Sequence, residues 1–239
     1  MLFSILSGGD VREMIINLLL LIPVILISLS AHEAAHGFMA HKLGDHTAYN
    51  LGRVTLNPAK HLDPMGCLFM LIFGYGWAKP VPINARNFKN PKRGMAFTAI
   101  AGPMANLLLG VFGTVIYSVV IFFFSVNFAS ISQNQFLFNV FVMLMNFFYL
   151  FGMMNFILMV FNLIPIPPFD GSRFFSLFLP TKWYFAIMKY ERYTMIAVIA
   201  LSFLCVRLFN ISPASFAAGK LFDLISDPII TLLGKLYVG

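Results

Sequence analysis

Charged residues are scarce in this chain of 239 residues. Only 10% of the residues are Asp, Glu, Lys or Arg, whereas 59% are hydrophobic, and the mean hydropathy is +0.84. Because soluble domains carry about 25% charged residues, this composition excludes that class and predicts that most of the chain lies in lipid. The sequence also lacks a Ser/Gly linker and an internal repeat, which favours one integral membrane domain over residues 1–239.

Cysteines and acidic residues are also few. Two cysteines, both in or beside apolar runs, exclude a disulfide framework and supply too few thiolates for a Cys-based zinc site.

Most of the basic residues lie in two connecting regions, 42–93 and 165–192, while Ser125–Gln135 has none. The positive-inside rule therefore places both basic regions in the cytoplasm, and no nucleic-acid partner is expected.

The long apolar runs predict an all-α polytopic membrane protein. The predicted spans are residues 14–41, 94–124, 136–164 and 193–209. Residues 50–84 are rich in Pro, Asn and β-branched residues, which predicts short β-strands around a re-entrant segment on the cytoplasmic side. The whole chain would form a bundle of about four to six transmembrane or re-entrant segments. Residues 210–239 are weakly amphipathic and are expected to form a surface tail.

The first span ends in LSAHEAAHGF, a segment with three polar side chains that are costly in lipid. His32 and His36 are one helical turn apart, near enough to bind one metal ion, and Glu33 follows the first histidine. In zinc hydrolases the pattern H-E-x-x-H supplies two ligands and a base that takes a proton from zinc-bound water. The alternative is that the histidines form hydrogen bonds between helices around a neutral glutamate. Because ionisable groups in membrane spans usually have a function, the zinc site is favoured.

The rise per residue of an α-helix places this metal about 8 to 13 Å below the cytoplasmic surface. A catalytic zinc ion needs a third protein ligand at that depth. Asp170 is the only carboxylate that borders another span on that side in an otherwise apolar stretch. Its alternative role is the N-cap of a helix over Arg173–Leu179, but a metal site on the same face favours the ligand. Asn162 lies eight residues upstream. Its side chain orients a substrate carbonyl or oxyanion, or it forms a hydrogen bond to another helix. The sequence favours neither alternative.

Five segments of this sequence resemble one known family. HEAAH at 32–36, AGPMAN at 101–106 and NLIPIPPFDG at 162–171 resemble the site-2 protease family of intramembrane zinc metallopeptidases, peptidase family M50. The similarity is greatest to its short bacterial members without a PDZ domain. GRVTLNPAKHLDPMG at 52–66 and GWAKPVPIN at 76–84 are similar to the same family.

The resemblance implies a helical bundle that binds one zinc ion per chain toward the cytoplasmic side. The residues that it assigns to the site are the zinc ligands His32, His36 and Asp170, the general base Glu33, and two substrate-binding or oxyanion residues, Asn162 and Asn106. Without a PDZ domain, the resemblance does not identify the part of the chain that recruits the substrate.

The sequence thus predicts a zinc-dependent intramembrane endopeptidase, multi-pass in the cell membrane, with Glu33 as the base. Its partners would be the lipid bilayer and a transmembrane or membrane-associated peptide, held by β-addition along residues 54–56 or 81–83. The alternative from another class is a nonhydrolytic metal-binding protein or a scaffold that binds transmembrane helices. A third interpretation is a zinc peptidase that cleaves peptides at the membrane surface. The oligomeric state is not predicted.

Overall fold

The structure is a computed structural model, and it has two compact units. It describes residues 11–66, 78–180 and 213–238, and between the last two ranges residues 190, 193–194, 196–198, 200–201 and 204. The first unit is Met1–Ala105 with Asn162–Ala197, and the second is Asn106–Phe161 with Val198–Gly239.

The elements with defined bounds are helices, and the all-α prediction is confirmed for the described residues. The α-helices are α1 Val11–Lys42, α2 Thr47–Asn50, α3 Pro91–Val126, α4 Phe128–Ile131, α5 Gln135–Asn162, α6 Asp170–Phe175 and α7 Pro213–Val238. Short 3-10 turns lie at Pro58–Lys60, Ala85–Asn87 and Ser176–Phe178.

Three helical segments are long and apolar enough to cross a membrane. They are Leu18–Lys42 within α1, Pro91–Val126 and Gln135–Asn162. Each exceeds the roughly 20 residues that a bilayer core requires, and together they coincide with three of the four predicted spans. The fourth span at 193–209 lies largely outside the described residues, and the re-entrant segment at 67–77 lies wholly outside them. The number of membrane segments therefore stays a prediction.

The short strands predicted within 50–84 are not found in the part of that segment that the structure describes. Residues 54–56 form a bend, residues 81–83 have no regular secondary structure, and an isolated antiparallel bridge joins Leu62 to Ala78. The physical reason lies in KPVPIN, whose two prolines have no N–H to donate to a ladder. The N–H of Val81 donates instead to the side chain of Glu33. Because backbone donors here are absent or already engaged, the β-propensity of the valine and the isoleucine does not produce a strand.

The end of α1 is joined to a distant part of the first unit by a buried carboxylate. Gly44 adopts a φ of 106°, which turns the chain so that the following Asp45 is buried. Asp45 accepts hydrogen bonds from the N–H of Thr47 at 3.1 Å, the N–H of Asn84 at 2.7 Å and the side-chain amide of Asn87 at 2.7 Å. Burial alone would raise the pKa of Asp45, but a hydrogen bond from the hydroxyl of Thr47, together with the three bonds above, outweighs burial and holds this pKa below its ordinary value of 3.8.

In the second unit, aromatic rings pack against small residues. Phe156, Ala218 and Phe222 form the centre of its core and are 0%, 0% and 4% exposed. Gly110 of α3 allows a close approach, since a Cβ there would lie 2.5 Å from the ring of Phe156. A Cβ at Gly152 of α5 would lie 3.0 Å from the ring of Phe222. Small residues at the interface, which permit tight packing in membrane helices, therefore shape this core.

The expected surface tail at 210–239 contains the 26-residue helix α7. This helix buries Ala218 and Phe222 in the core of the second unit, whereas Leu232 and Leu236 remain 58% and 72% exposed. One face of α7 is thus packed on protein. Contact of the exposed leucines with a membrane surface stays a prediction.

Candidate active site

The two histidines of α1 and the carboxylate at the start of α6 meet in the first unit. The Nε2 atoms of His32 and His36 are 3.0 Å apart, and each lies 3.1 Å from Oδ2 of Asp170. Both histidines are only 6% exposed. Among the described residues, no other group of three His, Cys, Asp or Glu side chains is arranged to hold a metal ion. The structure therefore brings the three predicted ligands together.

These three side chains fit a zinc ion in donor type, burial and spacing. Ligand atoms around a tetrahedral zinc lie about 3.3 Å from one another, so the observed separations need only a small outward shift. Nδ1 of His36 donates a hydrogen bond of 2.7 Å to the carbonyl oxygen of Thr98, which leaves the lone pair on Nε2. Such a bond to the outer nitrogen is typical of histidines that bind metals.

Two glycines allow the ligands to come together. Gly102 of α3 faces the imidazoles, because a Cβ there would lie 2.5 Å from Nε2 of His36 and 2.7 Å from Cε1 of His32. At Gly171, directly after the acidic ligand, a Cβ would lie 2.4 Å from the carbonyl oxygen of Leu163. In the sequence, Gly102 belongs to the segment AGPMAN, and no residue of the site was predicted at this position. Its contact with the ligands could not be predicted without the position of α3.

The alternative role of Asp170 as a helix cap is not observed. Asp170 is the first residue of α6, whose N-cap is Phe169 and has no side-chain cap bond. The carboxylate contacts the two imidazoles instead. Burial raises the pKa of Asp170, but interactions with His36 and His32 outweigh it and hold this pKa below its ordinary value. The carboxylate is thus directed toward the imidazoles and not toward the backbone of the helix terminus.

Glu33 lies beside the first ligand, and its carboxylate is already engaged by the backbone. Its Oε2 accepts a hydrogen bond of 2.8 Å from the N–H of Val81. Sequence reasoning did not find this contact, because every residue except proline carries such a donor and only the folded chain selects one.

The two predicted asparagines have different surroundings. Asn162 is the last residue of α5 and is half-buried. The next residue is Leu163, whose carbonyl group lies close to Gly171. Asn106 belongs to the second unit, where it is fully buried and donates from Nδ2 to Oδ1 of Asn155 at 2.8 Å. This bond joins α3 to α5. Substrate binding by either asparagine stays a prediction.

Comparisons with known proteins agree with the geometry of the site. The family model for peptidase family M50 matches residues 20–208, a range that includes positions 32–36 and 170. YwhC of Bacillus subtilis (strain 168), named as an inferred zinc metalloprotease, is 34% identical over 216 residues, covering 88% of this chain and 94% of the relative. Rip2 of Mycolicibacterium smegmatis, named in the same way, is 33% identical over 91 residues, covering 36% of this chain and 35% of the relative. No solved structure matches the chain.

Proposed function

The chain belongs to peptidase family M50, the site-2 protease family, and is a zinc metalloprotease, and from this premise we propose that it is an intramembrane endopeptidase. Its substrates would be transmembrane or membrane-associated proteins. The observation that carries the proposal is the position of His32, Glu33 and His36 within Leu18–Lys42, a segment apolar and long enough to span a bilayer. The nonhydrolytic alternatives are not retained, because the chain belongs to a family of peptidases.

In the proposed reaction, His32, His36 and Asp170 would hold one zinc ion through the atoms that converge at 3.0 to 3.1 Å. When bound, zinc would polarise the scissile carbonyl and stabilise the negative charge that develops on its oxygen. Glu33 accepts a proton from the attacking water and delivers it to the leaving amine. The water oxygen first forms the new C–O bond to the carbonyl carbon, and the peptide C–N bond breaks afterwards, when the amine nitrogen takes the proton from Glu33 and becomes the new amino terminus.

We place this site toward the cytoplasmic side of the cell membrane. The support comes from the basic loops that follow α1 and precede α3, which the positive-inside rule assigns to the cytoplasm. His36 lies six residues before the end of α1 at Lys42, about 9 Å along the helix axis. At that depth water reaches the site only through a polar path, so the protein itself must admit both water and substrate.

β-addition of the substrate along residues 81–83 is poorly supported. In this part of the chain Pro80 and Pro82 have no N–H, and the N–H groups of Lys79 and Val81 already donate to His61 and Glu33, respectively. A peptide docked on this segment would find few donors for its carbonyl groups. We therefore propose that the peptide chain unwinds near the metal ligands without adding a full strand at KPVPIN.

The test is a comparison of membrane proteomes from cells with the wild-type protein and cells with Glu33→Gln. We expect membrane-protein fragments that are present with wild type and absent with the variant, because glutamine cannot accept the proton. Loss of the base should lower the cleavage rate about 100- to 10,000-fold. Zinc content of the purified variant should equal that of wild type, since Glu33 is not a ligand.

The matched control is Glu13→Gln, the same substitution in the same helix about 30 Å away along its axis. It should leave the fragment pattern of wild type unchanged. Unaltered cleavage by Glu33→Gln would overturn the mechanism. Fragments that derive only from released signal peptides or other short remnants, with no intact span cut, would favour the surface-peptidase interpretation instead.

A further inference from the structure

One segment of the first unit without regular secondary structure, residues 79–84, is held in place by hydrogen bonds from several directions. The N–H of Lys79 donates to the carbonyl oxygen of His61 at 2.8 Å, and the N–H of Asn84 donates to Asp45 at 2.7 Å. Between these two anchors, the N–H of Val81 donates to Glu33. The segment is thus fixed at both ends and makes its central contact with the proposed base.

The side chain of a buried arginine holds the same segment through hydrogen bonds to two backbone carbonyl groups of the segment. Nη2 of Arg53 donates to the carbonyl oxygen of Lys79 at 2.7 Å and to that of Pro80 at 3.3 Å. Arg53 is only 8% exposed, and its buried Nε has no hydrogen-bond partner among the described residues. No carboxylate in the described part of the chain forms an ion pair with it. A buried guanidinium without an acidic partner is costly to maintain, which indicates a function for its two carbonyl contacts.

The position of these carbonyls determines where the N–H of Val81 points. The carbonyl group of Pro80 and the N–H of Val81 belong to one planar trans peptide unit and point in opposite directions, so the hydrogen bond of 3.3 Å from Arg53 to this carbonyl fixes the direction of the N–H. The bond of 2.7 Å to the carbonyl of Lys79 holds the preceding peptide unit. Glutamate has a long side chain with several rotamers. A hydrogen bond of 2.8 Å to Oε2 restricts that freedom and leaves Oε1 available for a proton transfer.

We infer that Arg53 is a positioning residue for the peptidase reaction: it fixes the amide of Val81, and that amide orients the carboxylate of Glu33. The inference rests on the proposed function, because it assumes that Glu33 moves the proton. Arg53 does not contact the metal ligands in the structure, so it acts on the rate of the chemical step and not on zinc binding.

The first experiment measures kcat, KM and zinc content of the full-length protein with a substrate identified by the Glu33→Gln comparison. Arg53→Ala should lower kcat about 10- to 100-fold, the size expected when an outer support of a catalytic group is removed. KM and zinc content should stay near wild-type values. Arg53→Lys should recover part of the lost kcat, because its ammonium group can still donate to a carbonyl oxygen. Arg86→Ala, at an exposed arginine of the same unit, should leave kcat unchanged.

The second experiment removes the N–H itself by comparing Val81→Pro with Val81→Ala. The valine lies between two prolines, and a residue before proline already favours the extended backbone that a proline adopts. Both variants lose the valine side chain, but only Val81→Pro loses the donor to Glu33. We expect kcat of Val81→Pro to lie at least about tenfold below that of Val81→Ala, with equal zinc content.

These outcomes separate the two proposals. Full activity of Glu33→Gln would overturn the proposed function and this inference with it. An inactive Glu33→Gln together with equal kcat for the two Val81 variants would overturn the inference alone. Loss of zinc in proportion to kcat in Arg53→Ala, with no recovery in Arg53→Lys, would show a structural role and would also overturn it. If Arg53→Ala does not fold, Arg53→Lys and the Val81 pair decide.

Discussion

Helix α3 contributes to two regions, and in each region one of its glycines packs against a different kind of side chain. In the first unit, Gly102 faces the imidazoles of His32 and His36, whereas in the second unit Gly110 faces the ring of Phe156. Both glycines allow a close approach, and the two positions are eight residues apart on one helix. The same local feature therefore supports a polar site in one region and an apolar core in the other. The difference shows that only the partner decides whether such a residue affects chemistry or stability.

The two regions also differ in their polar contacts. Around the site, polar contacts such as that of His36 with Thr98 join segments far apart in the sequence. In the core of the second unit, aromatic rings dominate and a buried pair, Asn106 and Asn155, supplies a polar contact between helices. Substitutions in the first region should therefore change metal binding and catalysis, and those in the second should change the free energy of unfolding. Three predictions test this comparison, and a fourth tests a stability contact of the first unit away from the site, at Asp45.

The largest effect is expected when a metal ligand is removed. Asp170→Ala deletes one of three converging ligand atoms, so zinc content and peptidase activity should both fall to background. Asp223→Ala, at an exposed carboxylate of α7, should keep wild-type zinc content. Metal analysis of the purified full-length variants measures both. A full equivalent of zinc in Asp170→Ala would show that this carboxylate is not a ligand.

The two glycines give the sharpest form of the comparison. Gly102→Ala should displace the imidazoles and weaken zinc affinity about 10- to 100-fold, measured by competition with a chelator. Gly110→Ala should instead lower the free energy of unfolding by about 1 to 3 kcal/mol through overpacking against Phe156. Zinc affinity of folded Gly110→Ala should be unchanged. Equal zinc affinities in the two variants would remove the distinction between the regions.

The buried asparagine pair tests whether the second region is only structural. Asn155→Ala leaves the amide of Asn106 without this partner, which should destabilise the protein by about 1 to 3 kcal/mol. Thermal unfolding in detergent measures the loss, and kcat should not change. If kcat falls while stability does not, the pair belongs to the catalytic site and Asn106 regains its predicted role toward the substrate.

The smallest effect is expected at Asp45, and it should depend on pH. Because the folded-state pKa of Asp45 lies below its ordinary value of 3.8, its ionised form stabilises the fold above that pH. This contribution is lost as the pH falls below 3.8 through the folded-state pKa. At pH 7, Asp45→Asn should therefore be less stable than wild type by about 1 kcal/mol. The difference should shrink in acid, and an equal difference at pH 7 and pH 3 would contradict the assignment.

Much of the helical architecture could be predicted from local patterns, and the hypothesis of two metal ligands and a base in HEAAH came from local patterns as well. Apolar runs predicted the spans that coincide with α1, α3 and α5, because burying apolar side chains in lipid needs only length and composition. The H-E-x-x-H spacing placed two imidazoles on one helix face, which depends on helix periodicity alone. The strands expected at 50–84 are not observed in the described residues, where prolines remove donors that β-propensity assumes.

The sequence by itself predicted a membrane protein, the positions of three long helices and two histidines that share one helix face, since these depend on composition and on periodicity within single helices. Only the tertiary structure decided that Asp170 reaches the histidines, that Gly102 makes room for them and that the N–H of Val81 meets Glu33. The physical reason is that these contacts join segments separated by tens of residues and involve backbone groups that every residue shares. Such groups acquire a specific partner only when the whole chain is folded.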